Sequence, residues 1–321
     1  MEFSNIVVTL PFTSEQKARL QEASPQTVFV FKQGLELSKE DFAGADALIG
    51  GAPPVLLADA PGLKWVQLGS VGAETFTDIL PSSVYLTNAR GAYGATVAGH
   101  AFAVTWMLLK KLHLYRDNQN KGIWSDEGMV GEINENTTAL IIGTGDIGRR
   151  YAAMIKPFGA RILGVKRTRG GTIPEIDELY CTDELPSLLP RADIVFLCLP
   201  GGKSTTGLIG ESEFGVMKEG AVIINVGRGG AIDTAALQNA LLGGRLAAAG
   251  LDVTDPEPLP AGHPLWGIKN AFITPHVSGG FHLAQTLGNI EKIAIRNLLL
   301  LKDGKEPENI VDRELGYVTV K

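Results

Sequence analysis

Three kinds of side chain that can hold an anion or move a proton stand just past apolar runs in the second half of the chain. Arg228 follows Ala221–Asn225, in Asn225-Val226-Gly227-Arg228-Gly229-Gly230-Ala231-Ile232-Asp233. Asp252, Asp255 and Glu257 follow Ala247–Leu251, and His276 follows Ala271–Ile273 in Thr274-Pro275-His276-Val277-Ser278-Gly279-Gly280. A guanidinium holds a carboxylate through two parallel hydrogen bonds, so Arg228 suits an anionic substrate. An imidazole gives or takes a proton near neutrality, and a carboxylate beside it favours its charged form. Of the five histidines, only His276 comes directly after an apolar run and before a glycine pair. His100 and His113 fall in a long helical pattern and read as packing or solvent residues. His263 lies in a proline-rich turn, and His282 opens the last helix. Position alone does not choose among Asp252, Asp255 and Glu257.

These groups meet only if the runs before them are parallel strands of one sheet, whose ligands gather at the carboxyl ends. The stretch Ala139-Leu140-Ile141-Ile142-Gly143-Thr144-Gly145-Asp146-Ile147-Gly148 argues for that sheet. An apolar strand meets Gly-x-Gly-x-x-Gly and a helical pattern begins at once. In this order the first glycine makes a tight turn, the second admits a pyrophosphate, and the third lets helix and strand pack closely. The phosphates of a dinucleotide then face the free amides and positive dipole end of the helix. About 20 residues further on, where an acid would bind a ribose 2′-hydroxyl, stands Val165-Lys166-Arg167-Thr168-Arg169. A basic cluster attracts a 2′-phosphate, which favours NADP(H) over NAD. Cys198-Leu199-Pro200-Gly201-Gly202 forms a bend over which a cofactor could lie.

Around this unit the pattern alternates strands and helices. Strands are expected at 138–142, 162–165, 194–199, 221–225, 247–251 and 271–273, with a helix at 234–242 capped by Asp233 and another at 281–301. Earlier in the chain, strands are expected at 5–10, 27–31, 47–49, 65–68 and 85–87. Thr13-Ser14-Glu15-Gln16 has the form of a capping box opening a helix to about residue 23. One long apolar helix is read from about Ala95 to Asp117, and 118–135 reads as a polar loop or arm containing Trp124. Such alternation implies parallel sheets with helices on both faces. The 321 residues are enough for two domains, and the net charge of −6 argues against nucleic acid or anionic membrane as main partner. Two cysteines, Cys181 and Cys198, fit a reduced, cytoplasmic setting. Neither a leader nor a membrane span is read, and no metal is called for.

The runs 225–233, 250–260 and 274–280, with Asn88-Ala89-Arg90-Gly91 ahead of the long helix, resemble the D-isomer-specific 2-hydroxyacid dehydrogenases. The resemblance covers essentially the whole chain. It implies an α/β protein of two doubly wound parallel-sheet domains with the active site in the cleft. A Rossmann-type cofactor domain (95–283) would be inserted in a flavodoxin-like substrate domain (1–94 and 284–321). By motif, Arg228 matches the substrate-binding arginine, Glu257 the acid and His276 the acid/base that also meets substrate. Val71 and Gly72 match the loop whose amides hold the substrate carboxylate. Cofactor contacts would fall on Thr96, Gly143, Gly145, Asp146, Ile147, Gly148, Lys166, Arg167, Thr168, Leu199, Pro200, Thr205, Val226, Gly227, Asp252 and Gly279. Gly99 departs from the acid many relatives carry there. Lys166 in place of an acid is similar to the family's glyoxylate and hydroxypyruvate reductases. The expected partner is a small anionic 2-keto or 2-hydroxy acid, reduced with NADPH, with NAD as the alternative cofactor. A homodimer through the cofactor domain is expected. Rival readings are an NAD-linked D-lactate-type or phosphite dehydrogenase, or a redox-sensing corepressor-like binding protein.

Overall fold

The computed structural model describes residues 1–32, 36–58, 60–168, 170–281 and 283–318. Arg169 and His282 lie outside the described residues. Two compact units form: Met1–Tyr93 with Phe281–Lys321, and Gly94–Gly280.

In the first unit, strands β1 (Asn5–Val8), β2 (Val28–Phe31), β3 (Ala47–Ile49), β4 (Trp65–Gln67) and β5 (Tyr85–Thr87) make one parallel sheet, ordered β2-β1-β3-β4-β5. That order is the flavodoxin-like one. Its connections include helices α1 (Ser14–Ala23), α2 (Lys39–Phe42), α3 (Pro54–Ala58) and α4 (Glu74–Thr77). The capping box at α1 is formed: Gln16 N–H donates to Thr13 Oγ1 (3.3 Å) and Thr13 N–H to Gln16 Oε1 (2.9 Å). Successive strand residues point to opposite faces. Ile6, Val8, Ala47 and Ile49 therefore join one core, and Val7, Leu48, Val66 and Leu86 join the other with Phe42, Leu57 and Leu63. A sheet buried on both faces needs such unbroken apolar strands.

The second unit opens with α5 (Gly94–Leu109) and α6 (Leu112–Asn120). The single helix expected over 95–117 is thus two, broken at Lys111, whose φ is +55°. The break has a tertiary cause. Gly131 N–H donates to Leu109 O (2.8 Å), and a Cβ on Gly131 would lie 2.7 Å from Leu109 Cδ2. The returning segment takes a carbonyl that another helical turn would have used. Strands β6 (Thr138–Ile142), β7 (Arg161–Lys166), β8 (Glu178–Cys181), β9 (Ile194–Leu197), β10 (Ala221–Asn225), β11 (Leu246–Leu251) and β12 (Ala271–Ile273) form a parallel sheet. Its order, β12-β11-β10-β9-β6-β7-β8, is the Rossmann order with a seventh strand. The sequence pattern had yielded six strands. β8 is a short edge strand whose Glu178 pairs with Arg161 and Arg191 at 2.7 and 3.1 Å, so it carries no apolar run.

Helices α7 (Asp146–Ile155), α8 (Leu185–Leu188), α9 (Glu211–Val216) and α10 (Thr234–Leu242) complete the unit. Leu140, Ile142, Leu163, Val165, Val195, Leu197 and Ile223 bury one sheet face with side chains of α8, α9 and α10. On the other face α5 lies close to β11, since a Cβ on Gly250 would come within 2.5 Å of Val104 Cγ1. The last helix, α11 (Ala284–Lys302), returns to the first unit and buries Leu287, Ile290, Ala294, Leu298 and Leu301 against β1 and β3. No helix among the described residues is long and apolar enough to cross a membrane.

Candidate active site

The glycine turn between β6 and α7 has the shape its spacing demands. Gly143 sits at φ +106°, a left-handed conformation that disfavours any side chain, and its N–H donates to Val165 O (3.0 Å). A Cβ on Gly148 would fall 2.1 Å from Gly143 O, so α7 can start this close only with glycine there. Gly145 is the N-cap of α7, brings no capping side chain, and a Cβ on it would meet nothing within 4 Å. Open space therefore lies before uncapped helix amides, which a pyrophosphate fits. Asp146 Oδ1 accepts from Arg150 Nε at 2.7 Å, while Oδ2 is buried and has no hydrogen-bond partner among the described residues. Ile147 is half-buried.

Lys166 ends β7, and Cys181 of β8 stands beside it in register. A cavity of about 230 Å³ there is lined by Lys166, Thr168, Gly170, Leu179, Tyr180, Cys181 and Glu184. β8, unread from sequence, thus makes the far wall. Glu184 is committed, since its Oε2 accepts from Cys181 N–H at 2.8 Å.

After β9 the chain leaves the sheet at Cys198, two residues earlier than expected. The Cys198 thiol donates to Gly143 O (2.9 Å), and burial pushes its pKa far up, so it joins two turns rather than reacting. Leu199 and Pro200 lead into a loop where Thr205 Oγ1 donates towards Pro200 O and Gly202 O, both at 3.0 Å. A Cβ on Gly227 would sit 2.6 Å from Leu199 O, so the turns after β9 and β10 touch through bare backbone.

Asn225 builds the turn that carries Arg228. Its Oδ1 accepts from Gly227 N–H (3.0 Å) and its Nδ2 donates to Arg228 O (2.9 Å). Val226 is buried, Arg228 is half-buried, and Arg228 Nη1 donates to Gly227 O (2.9 Å). A Cβ on Gly229 would lie 1.9 Å from Thr254 O, which seats this turn against the one after β11.

The geometry separates the three acids that position could not. Asp252 is 3% exposed, and its carboxylate accepts from Thr274 Oγ1 (2.6 Å), Val277 N–H (3.0 Å) and Ser278 N–H (3.1 Å). Asp255 O accepts from Thr234 Oγ1 (2.8 Å). Glu257 alone reaches the imidazole: its Oε1 is 2.6 Å from His276 Nδ1. Nδ1–H then faces the carboxylate and Nε2 is left to exchange a proton. His276 sits at φ +52°, its N–H donating to Asp252 O (2.8 Å) and Thr274 O (3.0 Å), and half-buried Gly279 follows three residues on.

His100 is a correction. Its Nε2 lies 3.2 Å from Thr274 Oγ1, so it belongs to the network around Asp252 and is not a packing or solvent residue. His263 caps a short turn, its Nδ1 accepting from Leu265 N–H (3.2 Å). Thr96 lies half-buried in the first turn of α5.

In the first unit, the loop after β4 is held by groups that the sequence reading passed over. Asn88 Nδ2 donates to Val71 O (2.7 Å), Ser70 Oγ to Gly72 O (2.7 Å), and the Tyr93 hydroxyl to Gly69 O. Burial pushes the Tyr93 phenol up to about 12, so it stays a donor. These bonds use carbonyls only. Among the described residues, the amides of Val71 and Gly72 make no hydrogen bond. Asn88 opens Asn88-Ala89-Arg90-Gly91, the motif ahead of α5.

A parallel sheet in Rossmann order, a glycine cradle at a helix start, and Arg, Glu and His beyond three strand ends define a dinucleotide-dependent dehydrogenase. The comparisons narrow the class. Residues 102–278 match the model of the D-isomer specific 2-hydroxyacid dehydrogenase NAD binding domain. The glyoxylate/hydroxypyruvate reductase B of Escherichia fergusonii is 32% identical over 315 residues, 95% of this chain and 93% of that one. The crystal structure of a D-isomer specific 2-hydroxyacid dehydrogenase family protein from Aeromonas salmonicida superposes with a TM-score of 0.85 at 31% identity, covering 97% of this chain and 99% of that one. An NADPH-dependent glyoxylate/hydroxypyruvate reductase from Sinorhizobium meliloti, solved with NADP and sulfate, gives 0.82 at 25% identity over 98% and 100%. The chain belongs to the D-isomer-specific 2-hydroxyacid dehydrogenases, NAD(P)-dependent enzymes.

Proposed function

We propose that this enzyme reduces short 2-keto acids of the glyoxylate and hydroxypyruvate type to D-2-hydroxy acids, with NADPH preferred. The observation that carries the reading is the 2.6 Å pair of His276 Nδ1 and Glu257 Oε1, which leaves the imidazole's other nitrogen for exchange. The dinucleotide, when bound, supplies the hydride. His276 Nε2 then gives its proton to the carbonyl oxygen as negative charge grows there, and Glu257 stabilises the imidazolium before transfer. Arg228 holds the substrate carboxylate with its planar fork. In the first unit, the free amides of Val71 and Gly72 are donors of the kind a substrate carboxylate takes. For the cofactor, Gly143, Gly145, Asp146, Ile147 and Gly148 take the pyrophosphate region. Lys166, Arg167 and Thr168 take the ribose 2′-phosphate. Thr96, Leu199, Pro200, Thr205, Val226, Gly227, Asp252 and Gly279 complete the set. Relatives named as glyoxylate/hydroxypyruvate reductases support the substrate type.

The test is a panel of 2-keto acids assayed with NADPH and NADH separately. NADPH is expected to give the higher kcat/KM. Lys166→Asp with Arg167→Ala removes the charged hydrogen bonds to a 2′-phosphate, each contributing about 1.5–3 kcal/mol, and the preference should largely vanish. Equal or better NADH kinetics in the unaltered enzyme would exclude the NADP reading.

Pairing of two copies through the second unit is supported by the segment after α6, where Trp124 is fully exposed at 104% and Met129 at 92%. Sedimentation equilibrium should return twice the chain mass of 34.1 kDa, and a single-chain mass would refute it.

A further inference from the structure

Asp252 does more than line a strand end. With both carboxylate oxygens it gathers Thr274 Oγ1, Val277 N–H and Ser278 N–H, and its carbonyl takes His276 N–H (2.8 Å). All four donors belong to the turn that carries His276. That turn holds His276 at φ +52°, a left-handed conformation uncommon for an L residue. Thr274 has one hydroxyl proton, and the 2.6 Å distance places it on Asp252 Oδ1. Its oxygen is then an acceptor for His100 Nε2 at 3.2 Å, which fixes the His100 tautomer with its proton on Nε2. The same nitrogen is 3.9 Å from Asp252 Oδ1. A chain of donors therefore runs from His100 on α5 through Thr274 to the carboxylate anchoring the turn.

We propose that His100 is a positioning residue: through Thr274 and Asp252 it holds the left-handed turn at His276 and so sets where the imidazole presents its proton. The inference rests on reading His276 as the proton donor. Were Thr274 to lose His100, its hydroxyl could rotate away from Asp252, and two of the turn's constraints would loosen together.

Four single variants and one double test this, assayed with hydroxypyruvate and NADPH. His100→Leu and Thr274→Val each break one link. His100→Gln keeps an N–H at about the reach of Nε2, and Thr274→Ser keeps the hydroxyl. Each breaking variant should lower kcat roughly tenfold, the order expected of one lost hydrogen bond. The Kd for NADPH, read by fluorescence titration, should stay within about twofold. The double variant His100→Leu/Thr274→Val should be no slower than either single, because both act through one chain. Both conservative variants should recover most of the lost kcat. Full kcat in His100→Leu, a loss confined to NADPH affinity, strictly multiplicative losses, or failure of both conservative variants to rescue would each overturn the proposal. His276→Asn, run alongside, separates the two levels of the argument. If it keeps turnover, the reading of His276 fails; if it is inactive while His100→Leu is fully active, only the link to His100 fails.

Discussion

His276→Asn is expected to slow 2-keto acid reduction by about 10²–10⁴-fold, the usual contribution of a positioned general acid, while NADPH affinity stays near normal. Asn is the substitution of choice because residue 276 sits at φ +52°, and Asn tolerates that region better than Ala does. The turn should therefore survive and only the transferable proton be lost. Its backbone N–H bonds to Asp252 O and Thr274 O, at 2.8 and 3.0 Å, remain available in the variant. Glu257→Gln keeps the shape of the partner but removes its charge. The imidazole then loses a charge-assisted hydrogen bond to its partner, so Glu257→Gln should lower kcat while NADPH affinity stays near normal. A His276→Asn enzyme within about threefold of the unaltered rate would take the residue out of the chemistry.

The second large effect belongs to Arg228. Its backbone is extended, φ −139° and ψ 140°, and suits any residue, so Arg228→Lys should fold unstrained. An ammonium cannot offer two parallel donors to a carboxylate. Losing one charged hydrogen bond, about 1.5–3 kcal/mol, lowers kcat/KM for the 2-keto acid roughly ten- to hundredfold. With Arg228 assigned to the substrate carboxylate, NADPH binding should stay near normal. The loss should also weaken with a substrate amide, which lacks the carboxylate charge. Unaltered KM and kcat in Arg228→Lys would remove Arg228 from the substrate.

Most of the sheet that positions these groups was legible because each strand is a short apolar run ended by glycine or a polar residue. Gly143, Gly145 and Gly148 declared their turn by spacing, and Arg228 and His276 by following strands. Four features were not legible from residue type and position, for physical reasons. The break at Lys111 is imposed by Gly131, which bonds Leu109 O from 22 positions away (131 − 109), and no local propensity records that. β8 is an edge strand satisfied by ion pairs, so it lacks the apolar pattern of its neighbours. The choice among Asp252, Asp255 and Glu257 depended on side-chain reach. Motif resemblance points to Glu257, but residue type and position do not tell a carboxylate buried in a turn from one 2.6 Å from an imidazole. His100 was misread for the same reason, since its partner Thr274 is distant in sequence and near in space.

On the proposed reading, His276 gives a proton to the carbonyl oxygen of a short 2-keto acid while hydride from NADPH reaches one face of the carbonyl carbon. The most direct measurement is turnover of hydroxypyruvate with NADPH by the unaltered enzyme and by His276→Asn, with the configuration of the glycerate determined. D-glycerate is expected, formed one for one with NADPH oxidised, and a His276→Asn rate lower by about two to four orders of magnitude. L-glycerate, no NADPH oxidation with any short 2-keto acid, or an undiminished rate in His276→Asn would contradict it.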